Sequence, residues 1–208
     1  MHGLINKALQ SFIADSFGGA VWRDIAQRSG IAQGLGPDGF EAMQAYDDSL
    51  TEAVVDAAVS LLRRPRDSLL EDLGTYLISN EKMEPLRRLL RFGGVSFTDF
   101  LYSLDDLQGR SQLAVPDLAL PNLALHEAGA DRFTLVCGDG MPGFGHVMVG
   151  ILRALADDYG ALAVLEHRGI GEPERPGHAA DPSELIRIEV HDPAYQDAKR
   201  FDLAAEAP

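Results

Sequence analysis

The chain has 208 residues, which is enough for one sizeable hydrophobic core or for two small lobes that share an interface. It carries 32 aspartates and glutamates against 18 lysines and arginines, so its formal net charge is -14 at pH 7. A field of this sign repels phosphate backbones and anionic lipid headgroups. The composition therefore argues against a protein that binds nucleic acid or a membrane surface.

Cysteine content and hydropathy predict the cellular compartment of the protein. Cys137 is the only cysteine, so the chain can form neither an internal disulfide nor a multi-thiolate zinc site. The first residues, MHGLINKALQSFIADSFG, lack a basic leader and a long apolar run, and no later window holds about 18 uncharged apolar residues. The sequence thus predicts a cytoplasmic protein with neither a signal peptide nor a membrane-spanning helix.

The N-terminal half has the periodicity of helices. Apolar residues from Leu4 to Ile13 recur at helical spacing and predict an amphipathic helix close to the first residue. Capping-box spacing, in which a hydroxyl and a carboxylate exchange hydrogen bonds with first-turn amides, predicts further helix starts at Ser49 and Ser68. The last helix of this half is predicted over residues 96–111, and an apolar repeat runs through it.

The pattern changes after Pro116, because this proline and Pro121 exclude a helix and predict an extended link. Consecutive strands joined by short turns usually pair in antiparallel fashion. We therefore predict an α+β fold, with a helical N-terminal lobe and a C-terminal lobe built on a four-stranded antiparallel sheet. The predicted strands are Asn122–Glu127, Arg132–Cys137, Ala161–Arg168 and Glu184–His191, and a long helix is predicted over Gly143–Tyr159.

Gln108 interrupts the apolar face of the 96–111 helix. It lies four residues after Leu104, where the helical repeat calls for a hydrophobic side chain. A buried amide without partners costs about 1–3 kcal/mol. Gln108 is therefore expected either to be satisfied by neighbouring groups or to occupy a position that carries chemistry in related proteins.

The segment FLYSLDDLQGR, which begins at Phe100 and is followed by Pro116, resembles the H-NOX family of haem-dependent nitric-oxide and oxygen sensor domains. A helix of that family carries the pattern FLxxLDxLHxR before a proline, and its histidine is the proximal iron ligand. The matching residue here is Gln108. The segments MHGLIN and SLLEDLGTYL also look like H-NOX segments. The resemblance implies one domain over residues 1–192, with a helical lobe at about 1–65, an α/β lobe at about 66–192, and a tail at 193–208.

A second H-NOX motif, YxSxR, binds the haem propionates through charge-assisted hydrogen bonds. Alignment on the following proline and glycine places Cys137, Asp139 and Met141 at its three positions. None of these replaces an arginine, and Asp139 would repel a propionate. Because the axial ligand and the propionate clamp both differ, the resemblance implies a degenerate haem site, and we expect no haem bound in the family manner.

The resemblance implies a non-enzymatic bacterial sensor that reports to a separate histidine kinase or cyclic-dinucleotide enzyme. One interpretation is a retained apolar cavity that binds a small hydrophobic molecule. By analogy of position, its lining residues would be Ile5, Leu9, Leu101, Leu104, Gln108 and Pro116. The second interpretation is a protein-interaction adaptor whose cavity is filled by side chains. The third is a haem sensor with another axial ligand, such as His146 or His126.

Two further patterns have alternative interpretations. The segment GDGMPG over residues 138–143 follows a predicted strand and opens a helix, as in dinucleotide-binding proteins, although no repeated βα units surround it. The six histidines show no close metal-ligand spacing, but His167 and His191 would approach each other if their strands pair. We expect these histidines to lie at strand ends on the surface, and Cys137 to be a partly buried structural thiol.

Overall fold

A computed structural model describes residues 1–36, 38–83, 87, 90, 94–138, 140–171 and 183–191, so the predicted tail at 193–208 lies outside the described residues. Short 3-10 helices span Ile31–Gln33, Glu81–Met83 and Ser103–Asp106. Within the described ranges, no helix is long and apolar enough to cross a membrane. The α-helices are α1 (Gly3–Phe17), α2 (Gly19–Arg28), α3 (Asp48–Leu62), α4 (Arg66–Ser79), α5 (Phe97–Tyr102), α6 (Leu107–Ala114) and α7 (Phe144–Tyr159), and the strands are β1 (Leu123–Gly129), β2 (Arg132–Cys137), β3 (Leu162–Gly171) and β4 (Ser183–His191).

Two predicted helix starts are wrong because other residues begin these helices. α3 begins one residue before Ser49, and the Asp47 carboxylate accepts a hydrogen bond from the Ser49 amide at 2.9 Å. A carboxylate is favoured at this end because it also faces the positive end of the helix dipole. α4 begins directly after Pro65, so Ser68 lies inside its first turn. The proline ring fixes φ, and its nitrogen carries no hydrogen that would need a partner.

The predicted helix over residues 96–111 begins as expected and is interrupted in its middle. The Ser96 hydroxyl accepts a hydrogen bond from the Asp99 amide, and the Asp99 carboxylate accepts one from the Ser96 amide, both at 3.1 Å. After α5 the backbone tightens into a 3-10 turn, where the Asp105 carboxylate accepts a hydrogen bond from the Leu125 amide at 2.7 Å. This bond ties the turn to β1, and α6 follows.

The four strands form one antiparallel sheet in the order β1-β2-β4-β3, which confirms the predicted α+β class. β4 follows the other described strands in the chain, yet it lies between β2 and β3. Side chains on the sheet face that packs against α7, including Leu135, Ile186 and Ile188, are fully buried. Their burial fixes the register, since a slip by one residue would turn every side chain of a strand to the other face.

Two clusters of buried side chains hold the structure together. α4 contributes to both, with Tyr76 in one cluster and Ile78 in the other. The lobe boundary at about residue 65 stays a prediction. The helical-lobe core includes Leu9, Phe12, Ile13, Ile25, Val54, Leu69 and Leu73, and the α/β-lobe core includes Phe100, Leu101, Leu104, Leu135, Met148, Leu152 and Ile186.

α4 and α7 meet through two glycines, and this contact joins the two lobes. A Cβ atom built on Gly74 would lie 2.0 Å from the Val147 carbonyl oxygen. A Cβ atom built on Gly150 would lie 2.0 Å from the Glu71 carbonyl oxygen. Because real Cβ atoms do not approach oxygen so closely, the two backbones touch only where both side chains are absent.

We expect Gly150→Ala to lower the free energy of unfolding by about 1–3 kcal/mol, as overpacking usually does, despite the higher helix propensity of alanine. Gly109→Ala in α6 is the matched control, since a Cβ there would meet no atom within 4 Å. This control should raise stability by up to about 1 kcal/mol. Urea denaturation measures both changes, and equal effects at the two positions would contradict the close approach of α4 and α7.

Candidate functional site

Gln108, the position that the resemblance assigns to the iron ligand, lies in the first turn of α6 and is half-buried. Its Nε2 donates a hydrogen bond to the Leu120 carbonyl at 3.0 Å. The Ser111 hydroxyl donates to the Gln108 carbonyl at 2.8 Å. Leu120 belongs to the link that precedes β1, so the hydrogen bond from the Gln108 side chain holds this link against α6. The partner that the sequence analysis required for the amide is therefore a backbone carbonyl.

The other five residues predicted to line a ligand pocket do not form one cluster. Leu101 and Leu104 are fully buried in the α/β-lobe core. Leu9 is buried in the helical-lobe core instead. Ile5 is half-buried and Pro116 is exposed. The structure thus divides these residues between two cores and the surface, and the pocket stays a prediction.

The described positions aligned with the propionate clamp carry no cationic group. Cys137 was predicted to be partly buried and is fully buried, and burial together with the nearby charge of Glu184 raises the pKa of its thiol to about 12. The thiol is therefore protonated at neutral pH. Met141 is half-buried and packs against the α/β-lobe core. Asp139 lies outside the described residues.

Glu184 of β4 binds the end of the 138–143 loop and the start of α7, and the sequence analysis did not predict this role. Its carboxylate accepts hydrogen bonds from the Gly143 amide at 2.7 Å and from the Gly145 amide at 2.9 Å. It also lies 3.0 Å from Nε2 of His167. The bonds place a negative charge at the N-terminus of α7, where the helix dipole stabilises it. The register sets Glu184 opposite Cys137, which chain order alone does not reveal.

The dinucleotide-binding interpretation of residues 138–143 finds no support in this geometry. Such a site uses the first amides of the helix to bind a pyrophosphate. Here the Gly143 and Gly145 amides donate to Glu184 instead. β4 also separates β2 from β3, so these two strands are not the adjacent parallel strands of a dinucleotide-binding unit.

A pair of stacked imidazoles lies beside Glu184. The rings of His146 and His167 are 3.8 Å apart between centroids and inclined by 24°. The alternative in which His167 approaches His191 is excluded by the register, which sets His167 opposite Ile186 and His191 opposite Leu162. His191 ends β4 and is exposed as expected, but the surface strand-end position expected for His167 is wrong, because His167 lies inside β3 and its side chain is only 13% exposed. Sequence spacing could not find the pair, since one histidine belongs to α7 and the other to β3.

The helical lobe also carries an open groove of about 410 Å³. It lies between α2 and the segment that follows the Ile31–Gln33 turn, and the sequence analysis did not predict it. Most of its lining residues are exposed, so it is a surface feature and not a buried cavity. The lining residues are Trp22, Arg23, Ala26, Gln27, Ala32, Gln33, Leu35, Gly36 and Gly39.

Solved structures of H-NOX proteins share this fold. The Fe(II) unliganded H-NOX protein from K. algicida superimposes with a TM-score of 0.73 at 16% identity, covering 92% of this chain and 97% of that chain. The H-NOX protein from S. oneidensis in the Fe(II)NO ligation state superimposes with a TM-score of 0.70 at 15% identity, covering 92% and 100%.

The chain is also similar to parts of soluble guanylate cyclases. Soluble guanylate cyclase gcy-31 of Caenorhabditis elegans is 23% identical over 158 residues, which are 76% of this chain and 22% of that protein. Soluble guanylate cyclase 89Db of Drosophila melanogaster is 20% identical over 185 residues, which are 89% and 27%. The chain thus spans only about a quarter of the length of these relatives. A family model described as Haem-NO-binding matches residues 2–167, most of the chain, and we conclude that the protein belongs to the haem-NO-binding, or H-NOX, family.

Proposed function

We propose that this chain is a non-enzymatic H-NOX signalling module that does not hold haem in the family manner. The observation that carries the proposal is the hydrogen bond from the Gln108 side chain, at the position that the resemblance assigns to the iron ligand, to a backbone carbonyl. A primary amide offers iron only a weak neutral oxygen in place of an imidazole nitrogen. The Nε2 group of Gln108 is engaged as well, because it donates to the Leu120 carbonyl. Gln108 therefore does not fit the role of an axial ligand.

The residues aligned with the propionate clamp do not fit haem either. A propionate is held by charge-assisted hydrogen bonds from cations or hydroxyls. Cys137 offers a buried protonated thiol, Met141 has no donor, and Asp139 is an acid. Glu184 adds a further carboxylate at the N-terminus of α7, where it would repel a propionate at the same loop.

Neither histidine considered as a substitute ligand favours haem binding. His146 stacks on His167 and lies 3.5 Å from carboxylate oxygens of Asp67 and Glu71, so its ring is engaged within the protein. His126 pairs with Thr134 in the sheet, on the face opposite to the buried Leu135. That face points away from α7, because side chains alternate along a strand.

The burial of Leu101 and Leu104 favours an adaptor with a packed interior over a sensor of a small apolar molecule. Both side chains belong to the buried cluster of the α/β-lobe core. Such a module would transmit a signal through contact with a partner protein. We expect this partner to be a signalling enzyme, such as a histidine kinase, a cyclic-dinucleotide enzyme or a guanylate cyclase, either as a separate chain or as a further domain.

Titration of the purified protein with ferrous haem tests the haem-free assignment. We expect no saturable Soret band at one haem per chain, because neither the iron ligand nor the clamp is present. The variant Gln108→His, Cys137→Tyr, Asp139→Ser and Met141→Arg restores all four family positions. It should gain a nitric-oxide-sensitive band if the missing side chains alone exclude haem, and it should stay without a band if the packed core excludes haem as well. Gln112→His adds an imidazole at an exposed position of α6 and should stay without a band. A stoichiometric, nitric-oxide-sensitive band in the unmodified protein would refute the proposal.

The choice between a packed interior and an apolar ligand cavity depends on Leu104. If the interior is packed, Leu104→Ala should lower the free energy of unfolding by about 2–5 kcal/mol, the usual cost of such a truncation. Leu113→Ala is the matched control, because Leu113 is 88% exposed and its loss should change stability by less than about 0.5 kcal/mol. Native mass spectrometry should show the polypeptide alone. A small effect at Leu104 together with a copurifying apolar molecule would instead support the ligand sensor.

A further inference from the structure

The α4–α7 contact carries a cluster of titratable side chains one turn from its paired glycines. His146 belongs to the first turn of α7, and its side chain is 15% exposed. Its Nε2 lies 3.5 Å from Oδ1 of Asp67, and its Nδ1 lies 3.5 Å from Oε1 of Glu71. Both carboxylates belong to α4. Arg153 of α7 pairs with the other oxygen of Glu71 at 3.0 Å, which leaves Oε1 facing the imidazole.

The neighbouring imidazole, His167, has a hydrogen-bond partner at each of its ring nitrogens. Its Nδ1 accepts from the Gly169 amide at 3.2 Å, and its Nε2 lies 3.0 Å from Glu184. An imidazole nitrogen that accepts a hydrogen bond carries no proton, so the neutral form with a proton on Nε2 satisfies both partners. A second proton on His167 would break the Gly169 bond. An added proton is therefore better placed on His146.

Neutral His146 cannot donate a hydrogen bond to both of the carboxylates beside it. A neutral imidazole has one N–H group, whereas two carboxylates face this ring. Its Nδ1 is buried and has no hydrogen bond within the described part of the chain. The imidazolium form has two N–H groups, one for each carboxylate, and its charge lies between two negative charges.

We propose that His146 is a proton-binding site and that its protonation stabilises the contact between α4 and α7. Proton uptake would give hydrogen bonds to Asp67 and Glu71, while His167 and Glu184 keep their own bonds. α4 supplies much of the helical-lobe core, and α7 covers the sheet. The proton would therefore strengthen the junction of the two lobes. This regulation does not depend on haem, so it holds whether or not the proposed function is correct.

The direction of the pH effect follows from the two carboxylates. In the unfolded chain the imidazole has no fixed carboxylate partner, so proton uptake favours the folded state. Measurements above about pH 5.5 stay clear of the range near pH 4 in which ordinary aspartates and glutamates titrate. Ordinary histidines also gain protons in this interval and lower the net negative charge of the chain, and this general effect has to be separated from that of His146.

The test compares the pH dependence of the folding equilibrium in three proteins, using urea denaturation at about pH 8 and pH 5.5. When the pH falls from about 8 to about 5.5, the folding equilibrium constant of the unmodified protein should rise about tenfold more than that of His146→Gln. This is the usual size of the effect of opposite charges on a nearby imidazolium. His191→Gln is the matched control, since His191 is exposed, and it should follow the unmodified protein. Parallel pH profiles for the unmodified protein and His146→Gln would overturn the proposal.

Ring nitrogen NMR of the unmodified protein gives a second readout that does not require a folded variant. Between about pH 8 and pH 5.5, both nitrogens of His146 should become protonated. After correction for the intrinsic pH dependence of amide exchange, the protection factors in α4 and in the first turns of α7 should rise. A His146 ring that stays neutral at the lower pH would overturn the proposal, even if His146→Gln fails to fold.

Discussion

The backbone contact between α4 and α7 is the constraint on which the rest of the structure depends. Gly74 and Gly150 each present bare backbone to a carbonyl oxygen of the other helix. This contact brings the helical-lobe core against the α/β-lobe core, and it sets the distance at which the side chains of the two helices meet. Gly74 belongs to the SLLEDLG segment and Gly150 to the helix after residues 142–143, so two segments that carry the family resemblance are the two that touch.

The sequence predicted helix and strand boundaries correctly where the residues that set the boundary lie close together in the chain. The capping box at Ser96 and Asp99 is formed as expected, because both of its hydrogen bonds lie within four residues of chain. β2 spans the predicted Arg132–Cys137, since a run of apolar and β-branched residues that ends at a glycine defines a strand locally. The starts of α3 and α4 were misplaced because two residue types capable of starting a helix stood close together, and spacing alone does not rank them.

The polar site could not be predicted, because it depends on strand order and register. Glu184 reaches the N-terminus of α7 only because β4 lies between β2 and β3. His167 meets His146 rather than His191 for the same reason, since the register turns it toward α7. These side chains come from widely separated segments with no shared motif. Only Gly145 gives a local hint, because a Cβ there would lie 2.4 Å from the Glu184 carboxylate.

The two regions that the resemblance assigns to haem both form hydrogen bonds within the chain. At one end, Gln108 donates to the Leu120 carbonyl and fixes the link that leads into β1. At the other, the first amides of α7 donate to Glu184. A buried donor or acceptor left without a partner costs about 1–3 kcal/mol, so these internal bonds remove a need that a bound group would otherwise meet. These internal bonds agree with the proposed module that does not hold haem in the family manner, and the α4–α7 junction is where the proposed proton site would act on both cores.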